Sequence, residues 1–186
     1  MGYLMAPSAL VRITMLREHL EDLPHFPLPS PFSVRYYEPG DVDTWLRIQR
    51  AAEVHRPLDR TVFDRAFGPD EAALGARQCF LCGPDREAIG TATAWCDHDY
   101  HGRPYGRVHW VAILPAWQGQ GLSKPLLCEV CNRLRQLHHQ RAYLVTHTAR
   151  IPAIRLYLRF GFRPDIRTDE DALAWDEVRG RGVQLD

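Results

Sequence analysis

Residues 108–114 read Val-His-Trp-Val-Ala-Ile-Leu, and the chain continues as Pro-Ala-Trp-Gln-Gly-Gln-Gly-Leu-Ser-Lys-Pro-Leu-Leu. A run that is apolar at nearly every position must be covered on both faces, which requires a sheet with layers on either side. The glycine pair marks a turn. Beyond it, Leu122, Leu126, Val130, Leu134 and Leu137 form one stripe at helical spacing and predict a helix to about His139. Residues 142–146 read as another strand, and Pro152 opens a helix that Gly161 stops after Phe160. Residues 162–164 are short and extended. This strand–helix–strand centre commits the chain to a mixed α/β domain.

The rest of the chain fits around that centre. Residues 1–31 form a proline-punctuated lead-in with a short alternating strand around 11–15, and residues 33–37 read as the first strand of the domain proper. Asp41 suits a helix N-cap, with Trp45, Ile48 and Ala52 on one face. Further helical stretches are predicted over 60–67 and near 71–76. Residues 78–82 and 88–96 make a hairpin around Gly-Pro-Asp-Arg-Glu-Ala, and 97–107 read as a polar loop. A closing helix carries Thr168 as its cap and Gly180 as its stop. The expected organisation is an extension over 1–31, a domain over 32–166, and a C-terminal helix and tail over 167–186 packed on the same domain.

The 186 residues suit one domain, and 23 basic against 23 acidic residues leave no net charge to draw the chain to nucleic acid or an anionic membrane. No apolar run reaches membrane-spanning length. The first residues lack the basic start of a signal peptide, and Ala6 stands where myristoylation wants Ser or Thr, so a cytoplasmic location is expected. Five cysteines is an odd number, which argues against a disulfide framework. Cys79 and Cys82 lie in a strand pattern, where positions three apart face opposite ways. Cys128 and Cys131 lie in a helical stripe, where cysteine serves as a small hydrophobe. Cys96, His98 and His101 belong to the polar loop. No metal site is therefore expected.

A strand that ends in a glycine turn and feeds a helix makes an anion seat from open backbone amides. Gly119 and Gly121 give phosphate oxygens access, Gln118 and Gln120 add neutral donors, and Ser123 and Lys124 lie in the first turn. The third glycine of a dinucleotide fingerprint is missing, and so is the lysine pattern of a Walker loop.

Gln118-Gly-Gln-Gly121-Leu-Ser123 resembles the pyrophosphate motif of GNAT N-acetyltransferases, and Ala153-Ile-x-x-Tyr157 leading to Gly161-Phe162 resembles the second signature of that family. Ser123 replaces the usual Gly or Ala, and Arg150 the frequent Asn. The resemblance, good from about Ser33 to Phe162, implies a mostly antiparallel sheet with one splayed strand pair flanked by helices. It implies acetyl-CoA as co-substrate, with its pyrophosphate on Gln118, Gly119, Gln120, Gly121, Leu122 and Ser123. Pantetheine would pair with Val111, Ala112 and Ile113, and Arg150 would meet a phosphate or an acidic substrate. Tyr157 would protonate the leaving sulfur. His109 is the candidate base, with His147 a weaker one, and Trp95, Tyr105 and Trp110 could line an acceptor site. The implied activity is N-acetyl transfer to a primary amine of a small molecule or peptide by direct attack in a ternary complex. Two alternatives stand beside it: a sensor that binds acyl-CoA without turnover, and a metal or redox protein. A homodimer is compatible with all three.

Overall fold

The computed structural model describes residues 11–53 and 57–185. The N-terminal stretch containing Ala6 and Pro7 lies outside them. In chain order the elements are β1 (Arg12–Arg17), β2 (Ser33–Tyr36), α1 (Val42–Ala52), α2 (Arg60–Phe67), α3 (Glu71–Arg77), β3 (Gln78–Cys82), β4 (Ala88–Tyr100), β5 (Arg103–Ile113), α4 (Ser123–Gln136), β6 (Ala142–His147), α5 (Ile151–Arg159), β7 (Arg163–Pro164) and α6 (Asp169–Gly180). The strands form one sheet in the order β2-β3-β4-β5-β6-β1-β7. Among the described residues only β5 and β6 run parallel; every other pairing is antiparallel.

Two cores explain why β5 is apolar on both faces. One gathers Leu126, Val130 and Leu134 of α4, Ile154 of α5, Phe160 at the end of that helix and Trp175 of α6. The other gathers Trp45 and Ile48 of α1 with Phe63 and Phe67 of α2, whose rings meet edge to face. The closing helix starts on a reciprocal cap in which Thr168 and Asp171 each accept from the other's backbone amide.

Three local expectations change. The lead-in supplies β1, which pairs with β6 from Arg12↔His147 to Arg17↔Ala142 and with β7 on its other edge, so it is an interior strand of the sheet. Residues 97–107 are not a loop. β4 and β5 continue to a tight turn at His101-Gly102, where both residues take positive φ of 51° and 78°. Their polar residues are tolerated because Tyr100 stacks on Tyr143 at 4.0 Å, while Tyr100, Tyr143 and Tyr105 each donate at 2.8 Å to Asp165, Asp97 and Glu18. Asp41 sits at the α1 N-cap, yet its carboxylate makes no cap bond to the helix backbone and instead accepts from the Glu38 amide and from Arg35 in a two-pronged contact at 2.6 and 2.7 Å.

Gly106 opens the parallel ladder beneath Leu134 of α4. A Cβ there would lie 2.8 Å from Leu134 Cδ2 and 3.2 Å from His139. Gly106→Ala is expected to lower unfolding free energy by about 1–3 kcal/mol through overpacking, as read from urea denaturation.

Candidate active site

The site begins where β5 and β6 part. Their ladder holds only Gly106↔Ala142, Arg107↔Tyr143 and Val108↔Leu144, although β5 runs on to Ile113 and β6 to His147. Beyond Val108 the facing edges diverge, and their backbone groups need partners from outside the sheet. A bulge on the other edge of β5 accompanies the split. Thr93 faces His109 and Thr91 faces Ala112, so two residues, Trp110 and Val111, oppose Ala92 alone. Trp110 takes φ +51°, an uncommon conformation for a bulky side chain. The extra residue reverses the alternation. His109, Trp110 and Ala112 pack toward α1 and α2, whereas Ile113 joins the α4 core with Val111 against it. Gln49, buried in α1, donates its amide to the Trp110 carbonyl at 2.7 Å and so ties the bulge to that helix.

On the α4 side the split opens a cleft of about 570 Å³. Val111, Ala112 and Ile113 form one wall, Ala153, Leu156 and Tyr157 of α5 the other, and the turn from Gln118 to Ser123 closes the end. Gly119 and Gly121 have φ +76° and +79°, and the space where a Cβ would stand is open at both. Glycine is required there by backbone conformation rather than by crowding. The Gln118 amide closes a 3₁₀ turn on the Pro115 carbonyl, and the Gln118 side chain donates to the Ile113 carbonyl at 2.8 Å. Gln120 donates to Ala116. Both glutamines therefore brace the loop. Among the described residues, no backbone carbonyl takes the amides of Gly119, Gln120, Gly121 or Leu122 at the head of α4. That row of open donors suits a pyrophosphate. Lys124 lies outside the cleft, with its ammonium 5.6 Å from the Phe26 ring centre.

On the other side a cavity of about 270 Å³ holds His109, Trp110, His147 and Glu53, with Arg12 and Arg107. Val111, Arg150 and Tyr157 line both spaces, so they mark where cleft and cavity meet. Burial lifts the Tyr157 hydroxyl to about 12 despite the opposing pull of Arg150, which keeps it in the proton-donating form. Burial, reinforced by the positive charge of Arg107, holds His109 well below its ordinary value and therefore neutral. Arg150 pairs with Glu53 at 2.8 Å.

The structure thus brings Tyr157, His109, Arg150 and the glycine turn together around one opening. It also brings in Gln49, Glu53, Arg12 and Arg107, which the sequence patterns did not single out. Gln49 could have been noticed as a polar residue adjoining the apolar stripe of α1; the others carry no local signal. Trp95 packs on Phe67 with ring centres 5.4 Å apart, and Tyr105 is buried against Glu18, so neither faces the cavity. Cys79, Cys82, Cys128 and Cys131 are buried free thiols, with burial raising Cys79 and Cys131 to about 12. Among the described residues no group of three or more His, Cys, Asp or Glu is placed to hold a metal ion, and no helix is long and apolar enough to cross a membrane.

The acetyltransferase (GNAT) family model matches residues 41–162. A mycothiol acetyltransferase from Pseudarthrobacter chlorophenolicus is 32% identical over 153 residues, covering 76% of this chain and 45% of the relative. One from Thermomonospora curvata is 30% identical over 167 residues, covering 86% and 55%. The chain spans about half the length of the curated relatives it matches. Among solved structures, a GCN5-related N-acetyltransferase from Sphaerobacter thermophilus superposes with a TM-score of 0.69 at 20% identity, over 84% of this chain and 50% of that one. The NatC complex bound to Gag peptide and CoA matches with a TM-score of 0.57 at 16% identity, over 68% of this chain and 81% of its own.

Two outcomes test this geometry. Gln49→Leu removes the donor that holds the Trp110 carbonyl, and is expected to lower stability by about 1–3 kcal/mol in urea denaturation. His109 is depressed on folding, so the unfolded chain takes up its proton first as pH falls below about 6.5. Stability should decline below that pH, and His109→Gln should flatten the decline in melting temperatures measured from pH 7 to pH 5.

Proposed function

Because the chain belongs to the GNAT acetyltransferase family, we propose that it transfers an acetyl group from acetyl-CoA to the primary amine of a small molecule, by direct attack within a ternary complex. The observation that carries this reading is that the two spaces lie side by side and share Val111, Arg150 and Tyr157 in their linings. A donor in the α4 cleft and an acceptor in the opposite cavity would meet there without leaving the protein. The names of the curated relatives point to a small-molecule acceptor.

The amides of Gly119 to Leu122 receive the pyrophosphate at the positive end of α4, where the helix dipole adds to their hydrogen bonds. The freed edge of Val111 to Ile113 pairs with pantetheine amides in place of a neighbouring strand. The bulge presents backbone amides near Val111 to the thioester oxygen as negative charge develops on it. The amine attacks as the free base, forming the C–N bond as the C–S bond breaks. Tyr157 supplies a proton to the departing sulfur. His109, held neutral, takes the proton that the nitrogen releases, directly or through water. Glu53 is already engaged by Arg150, which leaves the imidazole as the freer acceptor.

Acetyl-CoA should raise the melting temperature of the purified protein, and thiol release should appear with an amine panel. Tyr157→Phe should lower kcat by about 10²–10⁴, the usual reach of general acid catalysis, with acetyl-CoA stabilisation retained. Retained acetyl-CoA binding without turnover would favour a sensor, and no stabilisation by acetyl-CoA would sink both readings.

A further inference from the structure

We propose that the acceptor amine carries an oxyanion, a carboxylate or a phosphate, which Arg107 and Arg12 hold in the cavity between β5 and β6. This deepens the acetyl-transfer reading of the same site and rests on it. Among the described residues, three guanidiniums, from Arg12, Arg107 and Arg150, line the cavity against the single carboxylate of Glu53. Arg150 and Glu53 satisfy each other at 2.8 Å, so the charge left facing a guest is that of Arg12 and Arg107. A purely cationic acceptor, such as a polyamine, would enter against that charge.

Arg107 is the more telling of the two. It sits on the last shared stretch of β5 and β6, opposite Tyr143, with its guanidinium 5.4 Å from that ring's centre. Its Nε is buried and has no hydrogen-bond partner among the described residues. A buried donor on a permanently charged group is expensive to leave unpaired. Arg107 lines the cavity on the acceptor side of the parted strands. An oxyanion arriving there would accept from the guanidinium. Arg12 reaches the same cavity from β1, opposite His147 on β6, and is exposed at its rim. Both arginines stand on strands of the sheet, so the distance from anion to thioester is set by rigid elements.

The same placement assists the chemistry. Positive charge near an amine disfavours its ammonium form, just as Arg107 disfavours the protonated form of His109. A carboxylate anchored there offsets one of the two guanidinium charges, and the other still disfavours the ammonium form of the amine that must attack as the free base.

The test uses the full chain with acetyl-CoA and three matched amine pairs: glycine with glycinamide, γ-aminobutyrate with butylamine, and O-phosphoethanolamine with ethanolamine. CoA-thiol release is expected to favour the anionic member of at least one pair by tenfold or more in kcat/KM. The first two pairs report carboxylate and the third phosphate. Arg107→Gln should collapse that ratio toward one, chiefly through KM. Arg12→Gln, at an exposed position that leaves the core untouched, should reduce it in the same direction. Tryptophan fluorescence of the CoA complex provides a reading independent of turnover, and the anionic members should bind saturably and lose that binding in Arg107→Gln. Equal or better use of the neutral members, or no saturable binding of any anionic member, overturns the inference while acetyl transfer stands. Failure of acetyl-CoA to stabilise the protein or to be consumed removes the underlying reading instead.

Discussion

Everything distinctive about this protein follows from how early β5 and β6 stop pairing. Three residue pairs hold the two strands, and then each continues alone with one edge uncovered. An open edge inside a domain is costly unless something satisfies its backbone groups. Here the split is supported from both sides. Gln118 takes the Ile113 carbonyl on the α4 side, and Gln49 takes the Trp110 carbonyl on the α1 side. The bulge at Trp110 keeps the consecutive residues His109 and Trp110 on the α1 and α2 side and returns Val111 and Ile113 to the α4 side, so β5 serves two separate surfaces. Cleft and cavity are therefore the two faces of one interruption in the sheet.

The electrostatics of the site are local and are invisible in the totals. A chain with no net charge nevertheless gathers three guanidiniums around a small cavity and buries a neutral imidazole among them. Burial acts oppositely on the two titratable groups beside the opening: it keeps the Tyr157 hydroxyl protonated and the His109 ring unprotonated. One is left able to give a proton and the other to take one. Desolvation disfavours whichever form is charged, so a single environment sets both.

Much of this was legible in the sequence, for identifiable reasons. The apolar run of β5, the stripe of α4 and the glycine pair are periodic or conformational signals confined to a few neighbouring residues. The motif pair around Gly121 and Tyr157 pointed to the correct family. Segments 97–107 misled because polar residues in long strands look like a loop; tyrosine stacks and tyrosine–carboxylate bonds from distant elements make them strand. The strand in the lead-in was glimpsed at 11–15, but its place between β6 and β7 depends on partners more than a hundred residues away. Asp41 had the right position for a cap, and Arg35 diverted its carboxylate.

By itself, the amino-acid sequence determined the mixed α/β class, the strand–turn–helix that presents open amides, and the helix that carries Tyr157, because each is written in local spacing and backbone preference. Only the tertiary structure decided which residues share the opening. Gln49, Glu53, Arg12 and Arg107 come from α1, the segment after it, β1 and β5, and no pattern along the chain links them. Their roles arise from strand order, from a bulge that changes which way side chains point, and from burial that sets which protons are held. These are properties of packing between distant segments, and they exist only once the chain has folded.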